Sequence, residues 1–172
     1  MSNYIIMGPP GSGKGTVCES LECPNINHIS TGDLLRADPT FTELINKGHY
    51  VPCDYINNIV SEKVLANKGN ENILDGYPRT VQQVEFLYKN EIKIKKVIYL
   101  SISLEDVKER ILKRGRNDDT LEALKNRFKE FKDKTEQLLE EFKKRNVEII
   151  KVDANRCRDE VMKDVKKAIM QK

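Results

Sequence analysis

The segment that most restricts what this chain can become lies at its start. An apolar run, Tyr4–Met7, leads directly into Gly8-Pro-Pro-Gly-Ser-Gly-Lys-Gly-Thr16. So many glycines and prolines around one lysine cannot continue as strand or as regular helix. Glycines let successive backbone N–H groups turn inward toward an anion. A helix starting directly afterwards adds the positive end of its dipole, and Lys14 is placed to reach terminal phosphates. The pattern is that of a phosphate loop with one departure. The residue after the lysine, usually a Ser or Thr that ligates magnesium, is Gly15, and Thr16 follows it. An ordinary Gly/Pro turn explains the glycines but not the strand before, the helix after and the lysine in place. Alone, the loop specifies a triphosphate site, which many unrelated functions share.

Further short apolar runs, Ile26–Ile29, Asn72–Asp75, Val97–Ile102 and Val147–Val152, alternate with helical patterns. Leu121, Leu124, Phe128, Phe131, Leu138 and Phe142 recur at helical spacing, as do Val161, Val165 and Ile169. These stripes read as core faces. The alternation predicts an α/β fold with a parallel sheet covered on both sides. Ligands of such sheets sit beyond the carboxyl ends of the strands, so the chemistry is sought just after each run. A length of 172 residues suits one domain with a sizeable core.

The net charge of +3, with lysines spread along the chain, gives no electrostatic argument for a nucleic-acid or membrane surface. No apolar run approaches the roughly 20 residues needed to cross a bilayer, and the first run lacks the length and basic flank of a signal peptide. A cytoplasmic protein is expected. Cys18, Cys23, Cys53 and Cys157 have no CxxC spacing, and His28 and His49 complete no zinc pattern along the chain. Reduced thiols, mostly packed or inert, are expected.

After the second run comes HISTGDLLRA, His28–Ala37. Ser30 and Asp33 read as a helix cap. The cap leaves Arg36, beside Gly32, unexplained, and an arginine fork suits a phosphate. After the third comes ILDGYPRTVQQ, Ile73–Gln83. Asp75, at a strand end, can hold magnesium directly or through water. Gly76 permits close backbone approach, and Arg79 offers a second arginine fork to a phosphate. Thr80 with Gln83 fits a capping box. Beyond the fourth run, Arg110 and Arg114 share a helix face, followed by Arg116, Asp118, Asp119 and Arg127, with Asp119 and Glu122 forming another capping box. A solvated, salt-bridged helix would account for these arginines by itself. After the fifth run, KVDANR carries Arg156.

GPPGSGKGT, with glycine after Lys14, resembles the phosphate loop of the adenylate kinases and related nucleoside monophosphate kinases. STGDLLR, DGYPRTVQQ and the spaced arginines then follow in that family's order, nearly end to end. The resemblance implies the P-loop NTPase three-layer fold, a five-stranded parallel sheet with helices on both faces. It implies a single domain with core segments 1–29, 52–113 and 118–172, a monophosphate-binding region near 30–51 and a minimal lid near 114–117. It also implies reversible transfer of the γ-phosphoryl of MgATP to AMP, giving two ADP.

Carried over position by position, Gly11, Ser12, Gly13, Lys14, Gly15 and Thr16 hold ATP phosphates. Arg110 stacks on the donor adenine, Arg114 and Arg116 touch phosphates, and Arg156 lies by the donor base, largely through backbone. Thr31, Gly32, Arg36, Val51, Gly76, Arg79 and Gln83 form the AMP side. Thr31 meets the base, Gln83 its adenine edge, and Arg36 and Arg79 the phosphate. Arg116 and Arg127 complete that side, Arg127 bridging donor and acceptor. Lys14, Arg79, Arg114, Arg116 and Arg127 are the catalytic set, and no protein nucleophile is required. Asp75, with Asp33 as a more distant helper, orients magnesium through water, and Thr16 is a further candidate. The expected cofactor is Mg2+ without zinc, because the lid has no cysteine. The expected partners are ATP, AMP and ADP, with no nucleic acid and no membrane, acting on a monomer.

Pyrimidine-monophosphate kinases typically carry Ala and Asn where this chain has Thr31 and Thr80, and lack the Gln83 amide. A UMP/CMP kinase is thus the nearest rival, beside a non-catalytic nucleotide-binding relative, an ATPase and an RNA-binding side activity. Two departures stand out. The stretch between Arg36 and Val51 is short, and only Gly115 separates Arg114 from Arg116. A lid excludes water from phosphoryl transfer, so one this small invites hydrolysis.

Overall fold

The computed structural model describes residues 2–21, 25–46, 51–67, 69–114 and 121–171; at 44–46, 112 and 114 it describes backbone alone. The elements follow in order: β1 Asn3–Met7, α1 Lys14–Glu19, β2 Ile26–Ser30, α2 Thr31–Arg36, α3 Pro39–Asn46, α4 Cys53–Ala66 and β3 Glu71–Asp75. The chain continues with α5 Val81–Lys89, β4 Ile94–Ser101, α6 Leu104–Arg114, α7 Leu121–Lys144, β5 Glu148–Asp153 and α8 Arg158–Met170. The five strands form one sheet in the order β2-β3-β1-β4-β5, and every pairing is parallel.

The continuous apolar runs have their explanation in the two layers of helix. Tyr4 and Ile6 of β1 join Val17, Leu21, Val107, Ile111, Val161 and Val165 on one face. Ile5 and Met7, alternating with them, join Val60, Val64, Val84, Leu87, Leu138 and Phe142 on the other. A strand buried on both faces has no polar side to show. Each fully buried aliphatic or aromatic side chain contributes about 1.5–3 kcal/mol. Among the described residues no helix is long and apolar enough to cross a membrane.

The strands lie where the apolar runs predict them, within a residue or two, except that β4 begins at Ile94 rather than at Val97. Lys95 and Lys96 hide its start. The Lys96 side chain is buried, and its ammonium donates to the carbonyl oxygens of Ala168 (3.0 Å) and Gln171 at the end of α8. A buried cation is tolerable when it satisfies a helix terminus in this way.

Candidate active site

β1 ends between β3 and β4, so the phosphate loop opens at the centre of the carboxyl edge of the sheet. Gly11 and Gly13 adopt φ of +80° and +83°, a region that favours glycine. A Cβ on Gly11 would stand 2.6 Å from Val107 Cγ1 and 2.9 Å from Ile111 Cγ1, so this side of the loop is packed on α6. A Cβ on Gly13 or Gly15 would meet nothing within 4 Å. Gly13 caps α1 with no side-chain bond to its first turn, which leaves those N–H groups for an anion. The buried Ser12 hydroxyl also lacks a hydrogen-bond partner among the described residues. One wall of the loop is filled by protein, and the other suits phosphate.

Lys14, the first residue of α1, meets Asp75, the last of β3, with Nζ 3.2 Å from Oδ1. His28 of β2 meets the other carboxylate oxygen at 3.0 Å through Nε2. Burial pushes the Asp75 carboxyl up, but the His28 hydrogen bond and the Lys14 charge outweigh it and hold it below its ordinary value. An ionised carboxylate beside the loop is the oxygen donor that a magnesium ion requires, so these residues fit MgATP. Cys18 of α1 completes the neighbourhood. Burial, then the Asp75 charge, push its thiol upward and keep it protonated.

The acceptor residues attach to the same strand end. The Thr31 hydroxyl donates to the Asp75 carbonyl oxygen at 3.2 Å. Gly76 has φ +82°, and a Cβ there would lie 2.7 Å from Thr31 Oγ1. The Arg79 guanidinium donates through Nε to the Gly76 carbonyl at 3.0 Å. Ser30 caps α2 by accepting from the Asp33 N–H at 3.3 Å. Arg36 folds back over Gly32 and pairs with Asp33 at 2.5 Å. The Asp33 carboxylate is thus engaged with Arg36 and does not join Lys14 and His28 around Asp75. Gln83 is 3 % exposed and secures the start of α5 in a variant of the expected capping box: its N–H donates to Thr80 Oγ1 at 3.3 Å, and its Oε1 accepts at 2.6 Å from the N–H of Arg79, one residue before the cap. The amide NH2 and a second lone pair on Oε1 remain to meet a base edge.

Other expected residues stand apart from this cluster. Arg110 lines a cleft of about 430 Å³ with Glu105, Asp106, Glu109, Lys113 and Asn155. The Arg156 side chain turns away, donating to the Asp153 carbonyl at 3.0 Å and pairing with Asp164; its neighbour Asn155 faces the cleft instead. Arg127 is exposed on α7, and Thr16 is exposed on α1. Val51 is buried just ahead of α4. The Arg114 side chain, Arg116 and the rest of the expected lid lie outside the described residues. His28 and Asn155 were not marked by the sequence. His28 had one signal, since it sits two residues before Ser30, the residue that pairs with Asp75 across the parallel β2–β3 ladder.

Comparison with known proteins agrees with this geometry. The family model described as adenylate kinase matches residues 6–147. The chain is 36% identical to an adenylate kinase of Campylobacter jejuni over 183 residues, covering 96% of this chain and 95% of that protein. It is 39% identical to one of Nocardia farcinica, covering 80% and 84%. It is 33% identical to one of Nitratiruptor, covering 98% and 95%. The Campylobacter alignment, at 183 positions, exceeds the 172 residues of this chain, so that relative carries stretches this chain lacks. With a phosphate loop at the centre of a parallel sheet and these matches over most of its length, the chain belongs to the adenylate kinase family.

Proposed function

We propose that the chain reversibly transfers the γ-phosphoryl of MgATP to AMP, giving two ADP, at a site divided by the dipeptide Asp75-Gly76. The observation that carries this reading is the double attachment there. The Asp75 side chain ties to Lys14 of the phosphate loop, while the backbone of Asp75 and Gly76 accepts from Thr31 and Arg79. Donor and acceptor groups are thereby fixed to one strand end.

In this reading the loop N–H groups and Lys14 hold the donor phosphates, and Asp75 orients the shell of the metal ion. Magnesium, when bound with ATP, supplies positive charge to the phosphate oxygens. Arg36 and Arg79 hold the AMP phosphate, each exchanging its present partner, Asp33 or the Gly76 carbonyl, for phosphate oxygens. Arg116 and Arg127 neutralise the transferring group, with Arg114 assisting. Because the phosphoryl transition state asks for little covalent work, positioning and charge carry the rate. Thr31 and Gln83 read the AMP base, and Arg110 with Asn155 flank the donor base. Residues near 30–51 act as the monophosphate-binding region and 114–117 as the lid of a single, monomeric, cytoplasmic domain.

A coupled assay over AMP, UMP, CMP and GMP with MgATP tests this. ADP should form fastest with AMP. UMP or CMP outpacing AMP would overturn the reading of Thr31 and Gln83. Phosphate release independent of AMP would make the protein an ATPase, and tight ATP and AMP binding without ADP would make it a non-catalytic binder.

A further inference from the structure

Beside Asp75, the Cys18 thiol goes unused by phosphoryl transfer. Cys18 Sγ, a His28 ring nitrogen and an Asp75 carboxylate oxygen all lie within 4.8 Å of one another. They come from α1, β2 and β3, three elements held in place by the core. We propose that Cys18, His28 and Asp75 bind a thiophilic divalent cation of the zinc class, which competes with Lys14 for Asp75.

The donor set is one sulfur, one imidazole nitrogen and one carboxylate oxygen, the mixture that zinc accepts. Tetrahedral zinc holds such atoms about 3.3–3.6 Å apart, from its usual bond lengths. His28 Nε2 and Asp75 Oδ2 already stand 3.0 Å apart. The sulfur closes the triangle by a shift on the order of 1 Å. Three protein ligands leave a fourth position for water, the arrangement of open zinc sites. Magnesium does not compete for the sulfur, since it demands oxygen ligands in octahedral geometry. The ion would enter on the His28 side, where that side chain is 21% exposed while Asp75 is 8%. As the metal bonds form, the Cys18 thiol gives its proton to solvent, and His28 gives up the Nε2 proton it donates to Asp75, leaving a neutral ring protonated at Nδ1, so that the His28–Asp75 hydrogen bond yields to two metal bonds. Packing alone accounts for a small buried residue on α1, but not for a sulfur placed at the elbow of a His–carboxylate pair. The other described cysteines, Cys53 and Cys157, are exposed and have no such neighbours among the described residues.

The test begins on the whole, nucleotide-free protein with Co2+, whose thiolate charge-transfer band reports sulfur ligation directly and requires no kinase activity. One equivalent should produce the band. It should persist in a variant with Cys23→Ser, Cys53→Ser and Cys157→Ser together, and vanish in Cys18→Ala. His28→Gln, which keeps the thiol and can still hydrogen-bond Asp75, should weaken Co2+ binding at least tenfold. In the ATP–AMP assay at saturating Mg2+, Zn2+ should inhibit the wild type at a concentration at least tenfold lower than it inhibits Cys18→Ala. Without Zn2+, that variant should melt cooperatively and turn over like the wild type. A band that survives Cys18→Ala, or is unchanged by His28→Gln, overturns the site whatever the kinase assay shows. Equal Zn2+ sensitivity of wild type and Cys18→Ala overturns the competition for Asp75.

Discussion

The donor and acceptor halves of this site are built differently, although they meet at one strand end. On the donor side, Lys14, Asp75 and His28 are tied to one another at 3.0–3.2 Å around a carboxylate that is 8% exposed. These groups are placed by the β2–β3 register and by α1 packed on the sheet. On the acceptor side, Arg36 and Arg79 are exposed, and each rests on a neighbouring oxygen, Asp33 Oδ1 or the Gly76 carbonyl. Exposed pairs of that kind contribute about 0–1 kcal/mol, so an incoming phosphate displaces them at little cost. The donor half is organised in advance and the acceptor half is held in waiting. Substitutions on the first should appear in kcat, and on the second in KM for AMP, with a fall in kcat as well at Arg79, a member of the expected catalytic set.

The largest effect tests the donor half. Lys14→Ala should lower kcat by about a hundredfold or more, since it removes a fixed charge from the transition state, while circular dichroism remains that of the folded protein. A loss below tenfold would show that Lys14 does not hold the transferred phosphates.

The acceptor half comes next. Arg79→Ala and Arg36→Ala each remove charge-assisted hydrogen bonds worth about 1.5–3 kcal/mol. The KM for AMP should therefore rise about ten- to a hundredfold, as initial rates at saturating ATP would measure. The KM for ATP should stay within about twofold. If instead ATP binding weakens as much as AMP binding, the division of the site at Asp75-Gly76 is wrong.

The same contrast governs what the sequence could disclose. β1 and its loop were legible because a strand buried on both faces must be apolar and the loop after it must be rich in glycine. Asp75 was legible because a strand end is a fixed address. The start of β4 was not, because Lys96 is buried by satisfying α8 carbonyls, a long-range partnership that no local pattern carries. His28 and Cys18 escaped for a related reason. Spacing along the chain showed no zinc pattern, and only the parallel register of β2 and β3 with α1 packed on them brings these atoms to Asp75. At Arg156 the side chain is held by Asp153 and Asp164 while Asn155 faces the cleft, which leaves the expected contact with a donor base to the backbone of this loop.

Acid unfolding sharpens the donor side further. The Asp75 carboxyl titrates below its ordinary 3.8 in the folded protein. Its stabilising contribution is therefore complete above that value and is lost as pH falls through the lower, folded one. Magnesium-free, nucleotide-free protein should lose melting temperature steeply below about pH 4. Asp75→Asn should show a shallower loss over that window. An unchanged acid slope would mean that His28 and Lys14 do not stabilise the ionised carboxylate.

The smallest expected effect is at Gln83, where a helix-start bond and a base contact meet in one side chain. Its amide oxygen already accepts from the Arg79 N–H just ahead of α5, so Gln83→Ala should cost about 1 kcal/mol of stability as a lost helix-start bond. That loss would be read as a fall of a few degrees in Tm. The adenine role adds a separate consequence, because the oxygen retains a lone pair and the NH2 retains its donors. The variant should therefore also lose preference for AMP over UMP in kcat/KM by about tenfold, the scale of one or two hydrogen bonds. Gln83→Glu separates the two roles. A carboxylate still accepts from the Arg79 N–H and still caps α5, but it cannot donate to a base. Tm should hold while AMP preference falls. If both variants lower Tm alone and leave the AMP:UMP ratio untouched, Gln83 is a helix cap and the base is read by Thr31 without it.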